Sequence, residues 1–335
     1  MRTLIAVSNP DFKTRLFRAE AIRKLEAVSA VDWVPEGQPF TEADLAEWIP
    51  GYDACLTTWG SPKFTPAVIA RADRLRYIGH AAGTIVPIVD PAVFEREPEI
   101  VVANANHALG RSTAELVLTL MLAGAWNLGG YTQELRNGIW RDSTTSSVLG
   151  LYGQTVGLIG YGEISRELIR LLRPFDVHVL LYSRNCPEAE AAELGVELCG
   201  LDDLLRRSAI VSLHNTLTEQ TRGMIGREQL RLMRDGALLV NTARGPIVQE
   251  AALVEELRTG RLFAALDVYD TEPLPMDHPL LQLPNAICAP HIGALSSYWR
   301  CRLGEHVIDD LLRLLRGEPL VGHISREKFA IMSPR

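Results

Sequence analysis

The segment Thr155-Val156-Gly157-Leu158-Ile159-Gly160-Tyr161-Gly162-Glu163-Ile164-Ser165 constrains the fold more than any other stretch of the chain. An apolar run stops at a glycine, turns through a second glycine and opens a helix. Ile164, Leu168, Leu171 and Leu172 share one face of that helix before Pro174 ends it. The first glycine permits the tight turn, and the second lets a ligand approach the backbone. The helix N-terminus adds N–H donors and the positive end of its dipole. Strand, turn, helix and next strand in this order point to a dinucleotide-phosphate cradle built from Gly160, Gly162, Glu163 and Ile164. Ser165 stands where a third glycine is usual and is small enough for close helix–strand packing.

Short strand-like runs alternate with helical patterns along the whole chain, the mark of parallel sheets with crossover helices. Strands are expected near residues 3–7, 53–57, 75–78 and 99–102, with helices such as Thr14–Ala27 and Pro66–Ala72 between them. A long apolar helix is expected over Ser112–Leu128, followed by a polar loop, 141–147. A second series follows at 155–159, 177–182, 209–213, 237–241, 264–268 and 286–289, about six strands, as a doubly wound dinucleotide domain requires. Beyond residue 295 the chain is helical again, with Leu311, Leu312, Leu314 and Leu315 placed to cover one face.

The simplest architecture is α/β with two doubly wound parallel-sheet domains, a Rossmann domain inserted into a flavodoxin-like substrate domain. The boundaries are then 1–108 with 296–335 for the substrate domain and 109–295 for the dinucleotide domain. A length of 335 residues favours two domains over one. The formal net charge of −7 argues against nucleic-acid or anionic-membrane partners, which need a basic footprint. The five cysteines, Cys55, Cys186, Cys199, Cys288 and Cys301, are far apart and form no CxxC pair, so neither a disulfide framework nor a metal site is expected. The N-terminal apolar run is too short for a signal segment, and no stretch reaches the roughly 18 apolar residues of a membrane span, so a cytoplasmic location is expected.

At the end of the run Val177–Tyr182 stand Ser183 and Arg184. An NAD site usually offers a carboxylate to the ribose there, whereas an arginine suits the extra phosphate of NADP. Serine in the acidic position beside a guanidinium favours NADP(H), with NAD(H) left open. Three further polar residues each follow an apolar run: Arg244, Glu272 and His291. Side chains leaving several strand ends converge on one crevice in open α/β sheets, so a cation, a carboxylate and an imidazole are expected to share a pocket. Such a set can hold an anionic substrate and move a proton. A carboxylate beside an imidazole favours its protonated form, and imidazolium is the natural donor near neutral pH.

The segment Val240-Asn241-Thr242-Ala243-Arg244-Gly245-Pro246-Ile247-Val248, then Ala265–Leu274, then Pro290-His291-Ile292-Gly293, resembles the NAD(P)-dependent D-2-hydroxyacid dehydrogenase family. His214 and Thr221-Arg222-Gly223-Met224-Ile225 match in order as well. The likeness is close over about residues 100–320 and looser before them. It implies that Arg244 holds the substrate carboxylate and carbonyl, that His291 is the acid/base and that Glu272 pairs with it. It implies cofactor contacts at Thr216, Thr242, Ala243, Asp267 and Gly293, Asp267 toward the carboxamide. In the first domain it implies a substrate loop at Ala82-Gly83-Thr84, whose backbone N–H groups take the carboxylate. The substrate is expected to be a small 2-keto or D-2-hydroxy acid of the glyoxylate or hydroxypyruvate kind. The other reading is a non-catalytic corepressor-like protein that senses NAD(P)(H).

Thr216 stands where the family often has proline, and the Arg244–Glu272 spacing is one residue shorter than is common. Local adjustment around Glu272 is expected. Trp59 is expected either to shape the substrate pocket or to anchor its loop, and His107, Trp126 and Trp140 to serve packing or an interface. The long apolar helix suggests a homodimer, and two domains imply closure on cofactor and substrate.

Overall fold

A computed structural model describes residues 1–142 and 148–332, which form two compact units, Met1–Leu109 with the segment from Leu295 onward, and Gly110–Ala294. Residues 143–147, most of the expected polar loop, lie outside the described residues.

The first unit is a five-stranded parallel sheet of β1 (Arg2–Ile5), β2 (Ala30–Trp33), β3 (Ala54–Thr57), β4 (Tyr77–His80) and β5 (Val101–Asn104), in the order β2-β1-β3-β4-β5. Every residue of β3 and β4 is buried, as central strands covered on both faces require. The edge strand β2 has no counterpart in the sequence reading. Asp32 interrupts its apolar run, and that carboxylate is satisfied laterally by Arg2 Nη2 and the Tyr52 hydroxyl, each at 2.9 Å.

The expected helix Thr14–Ala27 is two helices, Pro10–Leu16 and Ala19–Glu26, because Phe17 and Arg18 adopt extended backbone. Asn9, whose side chain accepts from the Asp11 and Phe12 N–H groups, and Pro10 start the first of them. The last long helix, Leu303–Arg316, buries Leu303, Val307, Ile308 and Leu311, whereas Leu315 is exposed. Its inward face therefore begins eight residues earlier than the leucine run suggests, and the Tyr77 hydroxyl caps the Val307 carbonyl at 2.8 Å.

The second unit is a seven-stranded parallel sheet: β6 (Thr155–Ile159), β7 (His178–Tyr182), β8 (Glu197–Leu198), β9 (Ile210–Leu213), β10 (Leu238–Asn241), β11 (Phe263–Leu266) and β12 (Ala286–Cys288). Their order, β12-β11-β10-β9-β6-β7-β8, reverses direction between β6 and β9, and ligands of such sheets bind outside the carboxyl strand ends at that reversal. Beyond the six expected strands there is β8, two residues long and too short to leave a periodic signal. The long apolar helix spans Asn106–Ala125; Asn127, with φ 47°, breaks it before a second helix, Leu128–Arg136. The α/β class with two parallel doubly wound sheets agrees with the sequence reading. Among the described residues no helix is long and apolar enough to cross a membrane.

Candidate active site in the second unit

The carboxyl ends of β10, β11 and β12 carry the three polar residues singled out by the sequence. After β10, the fully buried Asn241 folds the chain over itself: its Oδ1 accepts from Ala243 N–H (3.0 Å) and its Nδ2 donates to the Arg244 carbonyl (3.0 Å). That turn presents Arg244, whose Nη1 donates to the Ala243 carbonyl at 2.7 Å. Gly245 then passes so close to the β11 loop that a Cβ would sit 2.0 Å from the Tyr269 carbonyl carbon. Only glycine allows the arginine loop and the glutamate loop to touch here.

After β11, Glu272 is held by Tyr269, whose N–H donates to Glu272 Oε1 at 3.0 Å. Its other oxygen, Oε2, lies 2.7 Å from His291 Nδ1. The short Arg244–Glu272 spacing thus leaves the carboxylate in reach of the imidazole. Burial pulls the Arg244 guanidinium below its usual pKa, and the charge of Glu272 pulls it back up.

His291 itself adopts a left-handed backbone, φ 54°, uncommon for a residue with a side chain. Four contacts hold it there. Asp267 Oδ1 accepts from Ile292 N–H (2.7 Å), and Oδ2 accepts from Gly293 N–H (2.9 Å). Ser112 Oγ donates to the Gly293 carbonyl (2.6 Å), and the Tyr269 hydroxyl donates to the Ala289 carbonyl (2.9 Å). Burial raises the Asp267 pKa, with the two N–H groups opposing that rise. Both oxygens of Asp267, expected to face the cofactor, are engaged by the histidine loop.

At the reversal between β6 and β9, Gly160 has φ 103°, and a Cβ there would lie 2.5 Å from Asn215 N. Around Gly162, the N-cap of the helix Glu163–Leu172, a Cβ would meet no atom within 4 Å, so the backbone is open to a ligand. Glu163 and Ile164 form the first turn of that helix. Ser165 is fully buried and donates to the Gly160 carbonyl at 2.8 Å, tying helix to turn. Ser183 Oγ accepts from Asn185 N–H (3.0 Å), and Arg184 Nη1 donates to Gln220 Oε1 (2.9 Å). Thr216 lies in the exposed loop after β9, where its carbonyl accepts from Thr221 Oγ1 (2.7 Å). Ala243 and Thr242 are buried, and Thr242 Oγ1 and Asn215 Oδ1 have no hydrogen-bond partner. Buried polar atoms without partners are uncommon and costly, so these two fit a polar ligand laid across the strand ends from β6 to β10. A nicotinamide dinucleotide is such a ligand.

Of the supports, Asn241 and Gly245 leave a local signal, since Asn before a tight turn and a Gly-Pro pair both mark loops. Ser112 leaves none, because the residue it holds is 181 positions away.

In the first unit the loop Ala82-Gly83-Thr84 follows β4. Ala82 is fully buried, and Asn104 Nδ2 donates to the Gly83 carbonyl at 2.7 Å.

Residues 118–293 match the family model described as D-isomer specific 2-hydroxyacid dehydrogenase, NAD binding domain. The chain is 38% identical over 301 residues to a D-3-phosphoglycerate dehydrogenase of Methanocaldococcus jannaschii, covering 89% of this chain and 56% of that protein. It is 32% identical over 327 residues to a glyoxylate reductase of Korarchaeum cryptofilum, covering 96% of this chain and 98% of that protein. Among solved structures, a glyoxylate reductase from Paecilomyes thermophila matches with a TM-score of 0.77 at 26% identity, covering 98% of this chain and 99% of that one. The chain therefore spans about half the length of the phosphoglycerate dehydrogenase and nearly all of the glyoxylate reductases. With the parallel sheets, the glycine turn and this coverage together, the chain belongs to the D-isomer specific 2-hydroxyacid dehydrogenase family, and its second unit is that family's NAD-binding domain.

Proposed function

We propose that the protein is an NAD(P)-dependent oxidoreductase interconverting a small 2-keto acid and its D-2-hydroxy acid, of the glyoxylate or hydroxypyruvate kind. The observation that carries this reading is the 2.7 Å contact between His291 Nδ1 and Glu272 Oε2, beside Arg244. With Nδ1 engaged by the carboxylate, Nε2 is the nitrogen that exchanges a proton with the substrate oxygen. Arg244 grips the acid's carboxylate and polarises its carbonyl, which fixes orientation and stabilises developing negative charge. When bound, the nicotinamide supplies the hydride to the carbonyl carbon, and the proton from His291 completes the hydroxyl. In the first unit, taken as the substrate domain, Gly83 and Thr84 are the residues proposed to offer backbone N–H groups to a carboxylate; the expected Ala82 N–H instead donates to the His80 carbonyl at 2.7 Å. The near-complete overlap with relatives named glyoxylate reductase supports this substrate class.

Gly160, Gly162, Glu163 and Ile164 would hold the cofactor's phosphates, and Thr216, Thr242, Ala243 and Gly293 would line the rest of it; Asp267, both of whose oxygens accept from the histidine loop, would meet the carboxamide with its remaining lone pairs. Ser183 and Arg184 favour NADP(H), a preference supported by the Gln220 contact that holds the guanidinium. Five thiols without a disulfide suit the cytoplasm. Trp126, Leu128, Leu135, Ile139 and Trp140 are exposed on and after the helix pair 106–136, an apolar surface that suits a homodimer. Light scattering on the purified protein tests that assembly.

Turnover of a panel of 2-keto acids with NADPH and NADH tests the function. Reduction of glyoxylate or hydroxypyruvate, faster with NADPH, is the expected result. Tight cofactor binding without turnover of any acid would favour a sensor instead.

A further inference from the structure

The loop that carries Glu272 is also held by a carboxylate from outside the triad, one that the reaction as described leaves unused. That carboxylate is Glu250. It opens the helix Glu250–Arg258, where the positive end of the helix dipole favours a negative charge. Its Oε2 accepts from Asp270 N–H at 3.2 Å, and its Oε1 lies 3.0 Å from His278 Nε2. The other ring nitrogen settles the tautomer: His278 Nδ1 accepts from Leu280 N–H at 3.3 Å, so the ring proton sits on Nε2 and is donated to Glu250. The two side chains are only 18% and 20% exposed, which sets them apart from a solvated surface pair.

Asp270 N–H is the second of two consecutive backbone donors in the β11 loop. The first, Tyr269 N–H, holds Glu272 Oε1 at 3.0 Å. Two carboxylates therefore take two successive N–H groups, one from the triad and one from the helix Glu250–Arg258. Gly245 fixes the same stretch: a Cβ there would come within 2.0 Å of the Tyr269 carbonyl carbon and 2.6 Å of Asp270 N. Gly245 directly follows Arg244. The Tyr269–Asp270 peptide is thus where the arginine loop, the glutamate loop and the Glu250–His278 pair meet.

We infer that Glu250, oriented by His278, is a positioning residue for the candidate site: it fixes the Tyr269–Asp270 peptide so that Glu272 stays on Nδ1 of His291. The inference rests on the proposed function for what that contact does. It goes beyond that reading in giving a part in the reaction to a pair outside the triad. A purely structural pair would add stability and nothing else. A positioning pair acts through Glu272, and that difference can be measured.

The experiment compares Glu250→Gln with wild type, alone and in a Glu272→Ala background. A glutamine at 250 accepts from one donor but turns an amide N–H toward the other. Its kcat on the most reactive keto acid should fall about 10-fold, the contribution of one hydrogen bond. KM for the acid should change less than about threefold, because Arg244 keeps its grip. In Glu272→Ala the same substitution should lower kcat by less than about twofold, since the residue it positions is gone. An equal fall in both backgrounds overturns the proposal. The second readout needs no turnover. Nitrogen shifts of the His291 ring, measured by NMR on isotope-labelled protein at a pH where the ring is neutral, report which nitrogen carries the proton. Wild type should hold it on Nδ1, facing Glu272, and Glu250→Gln should move it toward Nε2, in the direction of Glu272→Ala. That movement with no turnover of any keto acid keeps the positioning role and removes the dehydrogenase reading. Turnover with kcat and ring shifts both unchanged in Glu250→Gln overturns the positioning role and leaves the dehydrogenase reading intact. If Glu250→Gln does not fold, His278→Leu carries the test, because it takes the donor from Glu250 Oε1 and leaves Asp270 N–H in place. Wild-type kcat and wild-type ring shifts in that variant overturn the proposal equally.

Discussion

Asp267 holds His291 in place without touching its ring: the two carboxylate oxygens accept from the two N–H groups that follow the histidine, Ile292 and Gly293, at 2.7 and 2.9 Å. The histidine's left-handed backbone persists because its flanks are fixed. Burial of that carboxylate, which raises its pKa, is the cost of the arrangement.

Asp267→Ala leaves two N–H groups without acceptors in a shielded place, and should destabilise the protein by about 2–4 kcal/mol. Turnover should fall with it, since His291 loses its fixed position. Thermal unfolding and steady-state rates measure both, and an unchanged melting temperature would refute the clamp.

His291→Ala should lower turnover about 100-fold or more, the low end of a general acid's contribution. Glu272→Gln keeps an acceptor for one hydrogen bond but removes the charge, and should lower kcat about 10- to 100-fold with little effect on cofactor affinity. Rates on the most reactive keto acid, with cofactor titrated by fluorescence, separate the two effects. Full activity in His291→Ala would remove its proposed role.

Gly160→Ala forces a side chain into a backbone conformation that disfavours it and into Asn215, 2.5 Å from the new Cβ. NADPH affinity should drop at least about 100-fold, or about 2.7 kcal/mol. Binding as tight as wild type would mean that the cofactor lies elsewhere.

Acid should weaken the fold between about pH 6.5 and 3. Burial holds His80 and His214 at a pKa of about 3, well below 6.5. The folded state binds fewer protons at these sites than the unfolded chain. Their contribution is complete above about 6.5 and is lost as pH falls toward 3, by up to about 1.4 kcal/mol per pH unit for each histidine. Urea midpoints at pH 7, 6, 5 and 4 should fall progressively, and His80→Gln should flatten part of the slope. A constant midpoint across that range would contradict the assignment.

The order of the amino acids alone carries the α/β class, the glycine turn at Gly160 and the placement of Arg244, Glu272 and His291 just past apolar runs. These are local properties: a strand, a turn or a helix face is written in residues a few positions apart. It also misled where a local pattern was incomplete. The edge strand β2 is interrupted by Asp32, β8 has two residues, and the leucine run after Leu311 lies partly in solvent. It takes the folded chain to bring Glu272 Oε2 within 2.7 Å of His291 Nδ1, to let Gly245 admit the Tyr269 backbone, and to set the histidine loop with Ser112 and Asp267. Those partners lie between 19 and 181 residues apart, and hydrogen bonds over such separations exist only once parallel strands have been brought into register.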